Sequence, residues 1–325
     1  MNRIIRLLRG YGLVLCIIII AAIATIIRPA FLSFDNIMNI LRAYSTIGIA
    51  SVGMTFAIIC GGMDLSVGST ISLSSVITML VINGTVKDGV TPAYAALLVI
   101  LLAILVGALV GSVNGSIIAS VNGRMGESFI ITYAMQIIIA AVALAVVKGA
   151  FQPPRYLGGL FKQLGRGFIP IVFFIGIAII MQIILTRTIL GRNMYFLGAN
   201  MKAARMAGIK IKQTRIFAHM LCGACAGLTA VLIVSRVNSA SPSLGLGYEL
   251  DAMACVAVGG TSLAGGNGSV FKTVMGVLLI GVLLNALNIL GVKSDAQLIA
   301  RGSVIILAVI LDAWNKREMM KEVSK

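Results

Sequence analysis

Charge is scarce in this chain. Only 11% of its 325 residues are Asp, Glu, Lys or Arg, and 10 of these are acidic. With 59% hydrophobic residues and a mean hydropathy of +1.05, no soluble reading is left. The length fits about ten spans of roughly 20 residues each, folded as one membrane unit over 1–325 rather than as two soluble domains. The imbalance of 26 basic against 10 acidic residues does not point to nucleic acid, because the basic residues sit between apolar runs and at the tails, where they act as topology signals. Histidine and tryptophan occur once each. A lone His219 beside a basic loop has no sequence-near partner for a proton relay and reads as interfacial. Trp314 sits where an aromatic belt closes the last span. Cys16, Cys60, Cys222, Cys225 and Cys255 all lie in or beside apolar runs, which excludes a disulfide framework. Cys222 and Cys225 form a C-x-x-C without a soluble redox or zinc context, so neither metal nor cofactor is expected. The pattern G-x-x-x-x-G-K-[ST] is absent, so this chain has no phosphate loop for ATP.

Two glycine-rich breaks interrupt the apolar runs, GGMDLSVGS at 61–69 and GGTSLAGGNGS at 259–269. Backbone that leaves a helix at membrane depth needs protein or a water-filled cavity around it, so these points mark a candidate pathway. Asp64 lies in the first break, and an intramembrane carboxylate is a functional suspect by default. Three roles stay open for it: a cap for the helix starting near Ser66 or Ser69, a solute contact, or a proton or ion site. The hydroxyls of Ser66, Ser69, Thr70, Ser72, Ser74 and Ser75 mark a span facing protein or water, or else one selected for close packing.

Apolar runs place ten spans near 11–27, 43–60, 69–83, 93–119, 129–147, 168–186, 216–235, 248–260, 273–292 and 297–313. Arg3, Arg6 and Arg9 before the run Leu13 to Ile27 read as a retained signal anchor. They match a tail with Lys316, Arg317, Lys321 and Lys325, so both termini are expected in the cytoplasm. The loop 187–215, with seven basic residues and no acid, falls on the same side. The loop 148–167, with Lys148, Arg155, Lys162 and Arg166, then falls outside against its charge, because 168–186 has to cross between the two.

Loop 187–215 is too long for a bare connector and must hold structure. Its segment MKAARMAGI reads as a short helix with Asn200 as cap and Gly208 as stop. That helix is either a basic topology anchor or a docking element for a cytoplasmic partner. Asn285 and Asn288, one turn apart, are expected to point into the bundle, as a pathway, a dimer contact or an interhelical hydrogen bond. Arg236, Glu249, Asp251 and Arg301 gather by the span count at the outer mouth, as a cluster or as separately snorkelling charges.

Read in order, IGIASVGMTFAIICGGMDLSVGS, GRNMYFLGANMKAARMAGI, GYELDAMACVAVGGTSLAGGNGSV and LLNALNILGV resemble the permease subunit of monosaccharide ABC importers, the family of the ribose, xylose and galactoside systems. The resemblance spans most of the chain. It implies an all-α polytopic bundle of about ten transmembrane helices in the bacterial cytoplasmic membrane. It also implies three partners: a second permease chain, a periplasmic sugar-binding protein, and a cytoplasmic ATPase with two nucleotide-binding modules. It assigns ATPase contact to Gly191, Arg192, Gly198, Asn200, Ala203, Ala204, Gly208 and Ile209, and the solute pathway is read near Asp64, Ser66, Ser69, Asn285 and Asn288. Few aromatic faces lie in the spans beyond Tyr44, Phe56, Phe129 and Tyr133, as expected of a permease that leaves selectivity to its binding protein. An ion-driven carrier sharing the broken helices, and a membrane enzyme using Asp64, Glu249 and Asp251, are the competing readings.

Overall fold

A computed structural model describes residues 3–86, 92–123, 125–148 and 159–323, with side chains from residue 12 onward except at 308 and 311–323. The described residues form helices α1 Arg3–Ile27, α2 Phe34–Ile59, α3 Val67–Thr85, α4 Ala93–Ser120, α5 Met125–Val146, α6 Gly159–Leu164, α7 Ile169–Arg187, α8 Ile189–Ala199, α9 Met201–Met206, α10 Ile211–Val237, α11 Tyr248–Val258, α12 Val270–Ile289 and α13 Ser294–Val323. A 3-10 turn, Pro29–Leu32, joins α1 to α2, and no strand element occurs among the described residues. Among the described residues, seven helices, α2, α3, α4, α5, α7, α10 and α12, are long and apolar enough to cross a membrane. Length and apolarity thus reach seven of the ten expected spans among these residues. The second break cuts α11 to 11 residues, which is too short to cross by itself. Arg155 and the rest of 149–158, like the side chains of Arg3, Arg6, Arg9 and Trp314, lie outside the described residues.

Local chemistry sets the ends of these helices. Ser33 accepts the Asn36 amide at the start of α2, Thr188 that of Gly191 in α8, and Ser269 that of Lys272 in α12. α10 ends on Asn238 in the left-handed region, at φ +57°, a conformation Asn tolerates.

α10 is the hub, packed against α4, α2 and α3. Its contact with α4 rests on glycine: a Cβ at Gly107 would overlap the Gly223 carbonyl, one at Gly223 the Gly107 carbonyl, and one at Gly111 the His219 carbonyl. In lipid no hydrophobic gain drives helices together, so backbones this close are held by dispersion and packing. The opposite edge of α4 exposes Leu97, Leu101, Leu105 and Leu109, spaced one turn apart as a lipid-facing stripe. α4 therefore looks uniformly apolar in sequence while having two different faces.

Candidate functional site

The first break begins where α2 ends. Gly61 turns the chain at φ +85° and the Gly62 amide bonds back to the Ala57 carbonyl. The peptide groups beyond it are taken up by two hydroxyls of α5. Ser128 Oγ accepts the Met63 amide at 3.2 Å and donates to the Met63 carbonyl at 2.9 Å, and Thr132 Oγ1 accepts the Leu65 amide at 3.1 Å. This satisfies backbone that would otherwise be stranded in a nonpolar medium.

Asp64 is the centre of that break and is 1% exposed. Its Oδ1 accepts the Ser66 amide at 3.1 Å and the Ser66 hydroxyl at 2.6 Å, Asn114 Nδ2 approaches both oxygens at 3.3 and 3.4 Å, and His219 Nδ1 lies 3.2 Å from Oδ2. Ser66, just ahead of α3, gives both its amide and its hydroxyl, and the other two partners are side chains from α4 and α10. With its proton on Nδ1, His219 donates to Oδ2 in this contact, and Nε2 lies against Gly62. His219 sits two turns into α10, about 12 Å along its axis, and is 2% exposed, so it is a buried partner and not an interfacial side chain. Asn114 went unnoticed in the sequence. The signal for it was the G-x-x-x-G-x-x-x-G run at Gly107, Gly111 and Gly115, which marks the α4 face buried on α10 and brings Asn114 in beside it.

The second break folds onto the first. The Gly266 amide donates to the Ile59 carbonyl at 2.9 Å, while Gly265 lies against Gly61 and Gly198. Gly198, at the end of α8, fills the remaining gap, where a Cβ would overlap the Ile59 carbonyl and come within 2.6 Å of the Gly266 amide nitrogen. Tyr195 Oη donates to the Gly268 carbonyl at 2.7 Å, and burial pushes this hydroxyl above the usual phenol range, keeping it a donor. Gln182 Oε1 of α7 accepts the amides of Val270 at 3.0 Å and Phe271 at 3.3 Å, two of the free donors at the start of α12.

Loop 187–215 holds two helices where the sequence predicts one: the small-residue helix α9, and α8 before it. Asn200 caps α9, accepting the amides of Lys202 and Ala203, and Gly208 ends the turn at φ +75°. Ala204 is buried, and Ile209 is half-buried against the core. Gly191 is buried too, where a Cβ would overlap the Leu185 carbonyl. Arg192, Lys202, Ala203, Met206 and Gly208 are exposed, Met206 by 90%. Asn122, Met201, Lys202, Arg205 and Met206 line a hollow of about 470 Å³ there. Arg205 is held by Asn122 Oδ1 at 2.7 Å. Arg215, one of the basic residues of this loop in sequence, is instead buried between the Ile118 carbonyl and Met201 Sδ.

The four charges expected at the outer mouth, as a cluster or singly, have different partners. Asp251 and Arg301 pair at 3.0 Å, and Arg236 is exposed. Glu249 turns inward against Gly68 in the first turn of α3, with Oε1 accepting from Gln136 Nε2 at 3.3 Å. The chain between α10 and α11 dips to reach this level, and the Gly245 amide donates to Ser72 Oγ at 2.9 Å. Above this contact Ser69, Ser72, Gln136, Ser241 and Ser243, with Ala140, Leu144, Pro242 and Leu246, line a cavity of about 340 Å³. Asn285 exchanges two hydrogen bonds with Asn36, each 3.0 Å, tying α12 to the start of α2. Asn288 is exposed in the single chain rather than pointing inward. Residues three apart on a helix differ by about 60° in direction, and the edge of the packed face falls between them. Neither asparagine meets Ser66 or Ser69.

The fold and site define a helical membrane permease: two backbone breaks completed by neighbouring helices, a polar cavity beside one of them, and a pair of short helices joined to both. A family model described as "Branched-chain amino acid transport system / permease component" matches residues 36–309. Among curated proteins, the ribose import permease protein RbsC of Bacillus subtilis is 40% identical over 308 residues, covering 93% of this chain and 92% of that protein. The Escherichia coli K12 ribose import permease protein RbsC is 37% identical over 94% of this chain and 93% of its own length. The Escherichia coli K12 D-allose transport system permease protein AlsC is 35% identical over 93% and 91%. No solved structure is significantly similar. The chain belongs to this family of ABC-importer permeases. It is a non-catalytic transport subunit, which removes the ion-driven carrier and the membrane enzyme, and such a permease works with an ATPase and a binding protein.

Proposed function

We propose that this permease carries a monosaccharide of the ribose and allose class into a bacterial cell. The observation that carries this reading is the near full-length identity to permeases named for those sugars. The sparse aromatic lining of the spans supports a path that passes solute on without gripping it. The solute route runs beside the first break, through the hydroxyl and amide cavity of Ser69, Ser72 and Gln136, with Asp64 and Ser66 as the wall beneath it rather than as a contact surface. The acceptors and donors of that cavity suit a polyhydroxyl solute.

The membrane-spanning helices number about ten, α1, α11 and α13 completing the seven long ones, and both termini face the cytoplasm in the inner membrane. Charge supports this orientation: the segment 187–215 carries seven basic residues and no acid, matching the basic residues of both tails. A second permease chain completes the channel. A cytoplasmic ATPase with two nucleotide-binding modules docks on the exposed face of α9, and a periplasmic binding protein delivers the sugar.

The test is reconstitution in proteoliposomes with the ATPase and binding protein that co-purify. Uptake of labelled D-ribose or D-allose that needs ATP and the binding protein is the expected result, and Ser72→Phe should reduce it severalfold while basal ATP hydrolysis persists. Transport of neither sugar by an intact complex that hydrolyses ATP would overturn the substrate assignment.

A further inference from the structure

The three segments singled out by sequence, two membrane breaks and one cytoplasmic loop, touch at a single junction. Gly198 of α8 sits between the Ile59 carbonyl at the first break and the Gly266 amide of the second, and those two groups bond to each other at 2.9 Å. From the same side, Tyr195 and Gln182 hold four consecutive residues, 268–271, by the Gly268 carbonyl and the amides of Val270 and Phe271. α7 and α8 are nearly continuous, separated only by Thr188, whose hydroxyl donates to the Ile184 carbonyl and accepts the Gly191 amide. Gly191 packs so closely on the Leu185 carbonyl that the bend between the two helices is fixed. α8 leads directly into the Asn200 cap of α9, so a displacement of α9 has a short path of bonded groups to both breaks.

We infer that α7 and α8 form the lever that transmits movement of the cytoplasmic face to the membrane breaks, with Gln182 and Tyr195 as positioning residues that grip the start of α12. The inference rests on the reading that an ATPase docks on α9. α12 is gripped at its free amides, where a single acceptor carries two donors, and at the last carbonyl before Ser269. Pulling there turns α12 and the second break together. The first break follows through Gly266 and Ile59. Arg215 and Asn122 tie α9 and its approach to α4 and α10, so the lever has a fixed side against which to move.

The test uses the assembled importer in proteoliposomes and three variants, Tyr195→Phe, Gln182→Leu and Gln182→Glu. The first two remove a grip, and the third keeps an acceptor for the α12 amides. ATP hydrolysed per sugar moved is read together with ATPase association. Expected is normal association in all three, a fivefold or greater rise in ATP used per sugar for Tyr195→Phe and Gln182→Leu, and a ratio near wild type for Gln182→Glu. A merely structural role would lower hydrolysis and uptake in proportion, and an unchanged ratio in both grip variants would overturn the inference. A second readout needs no sugar. In a background with the five native cysteines replaced, Ser262→Cys should change its maleimide reactivity on ATP addition, and Tyr195→Phe should abolish that change. Reactivity that responds equally to ATP with and without the tyrosine hydroxyl would overturn the lever. A normal, hydroxyl-dependent response in a complex that moves no sugar would support the lever while removing the substrate reading.

Discussion

Nδ1 of His219 lies 3.2 Å from Oδ2 of Asp64, joining α10 to the first break across 155 residues of chain. Both groups are buried, so each is the other's main electrostatic partner among the described residues, with Asn114 and Ser66 completing the shell of the carboxylate. A buried charge stripped of its partner costs about 3–5 kcal/mol, whereas exchanging the whole pair for neutral groups is far milder. His219→Ala alone should therefore lower the apparent thermal midpoint of the purified permease in detergent more than Asp64→Asn and His219→Ala combined. The double-mutant cycle should show a coupling of about 0.5–3 kcal/mol, and additive shifts would deny the pairing.

Capping accounts for the Ser66 amide but not for the contacts of Asp64 with Asn114 and His219. Asp64→Asn keeps an acceptor for that amide yet turns an NH2 donor toward Asn114 Nδ2 or the His219 Nδ1–H. ATP-driven uptake should fall severalfold in Asp64→Asn at normal expression, and further in Asp64→Leu, which also leaves the Ser66 amide and hydroxyl without their acceptor. Full uptake by Asp64→Asn would mean that the cap alone matters.

Glycines in similar apolar surroundings should behave in opposite ways. Gly107→Ala and Gly223→Ala insert a methyl where the facing carbonyl already sits, and overpacking of this kind costs about 1–3 kcal/mol. Gly176→Ala meets nothing within 4 Å and should be neutral or gain about 0.5–1 kcal/mol of helix stability. Detergent melting of the three variants, side by side, checks the order.

The exposed α9 can be disabled without touching a span. Gly208 sits at φ +75°, which proline cannot adopt, and the site of Ala204 is too enclosed for an indole. Gly208→Pro and Ala204→Trp should insert normally and lose both ATPase association and ATP-dependent uptake. Retention of the ATPase by both variants would move the docking face elsewhere.

Cysteine labelling in a Cys-free background addresses sidedness. Position 205 should react only from the cytoplasm and position 155 only from the periplasm. Reaction of both from one side would mean that α7 does not cross.

What could be read from the chain beforehand followed from chemistry local in sequence. Long apolar runs gave the helices, the glycine clusters gave the breaks, and Asn200 and Gly208 gave the limits of α9. α8 was missed because its residues, LGRNMYFLGA, mix polar and apolar types with glycines and lack the length of a span. The partnership of Asp64 with His219 was illegible for a different reason. It depends on how far the chain of the first break climbs beside α10, which the packing of Gly107, Gly111 and Gly115 decides and no local pattern encodes. For the same reason Glu249 looked like an outer-mouth residue. Its descent to Gly68 follows from the close approach of Gly245 to α3, a contact between distant segments that requires two residues without side chains.

The hydrogen bond from Gly266 to Ile59 also bears on how the protein is made. Ile59 enters the membrane while the chain is being synthesised, and its partner amide is translated roughly 200 residues later, on the order of ten to forty seconds at ordinary elongation rates. Until then the carbonyl at the end of α2 lacks this partner in a glycine-rich bend, and α8 is there to cover it only once residues 189–199 have been made. Truncations ending before Ser269 should therefore be cleared by membrane proteases far faster than those ending after Ile289.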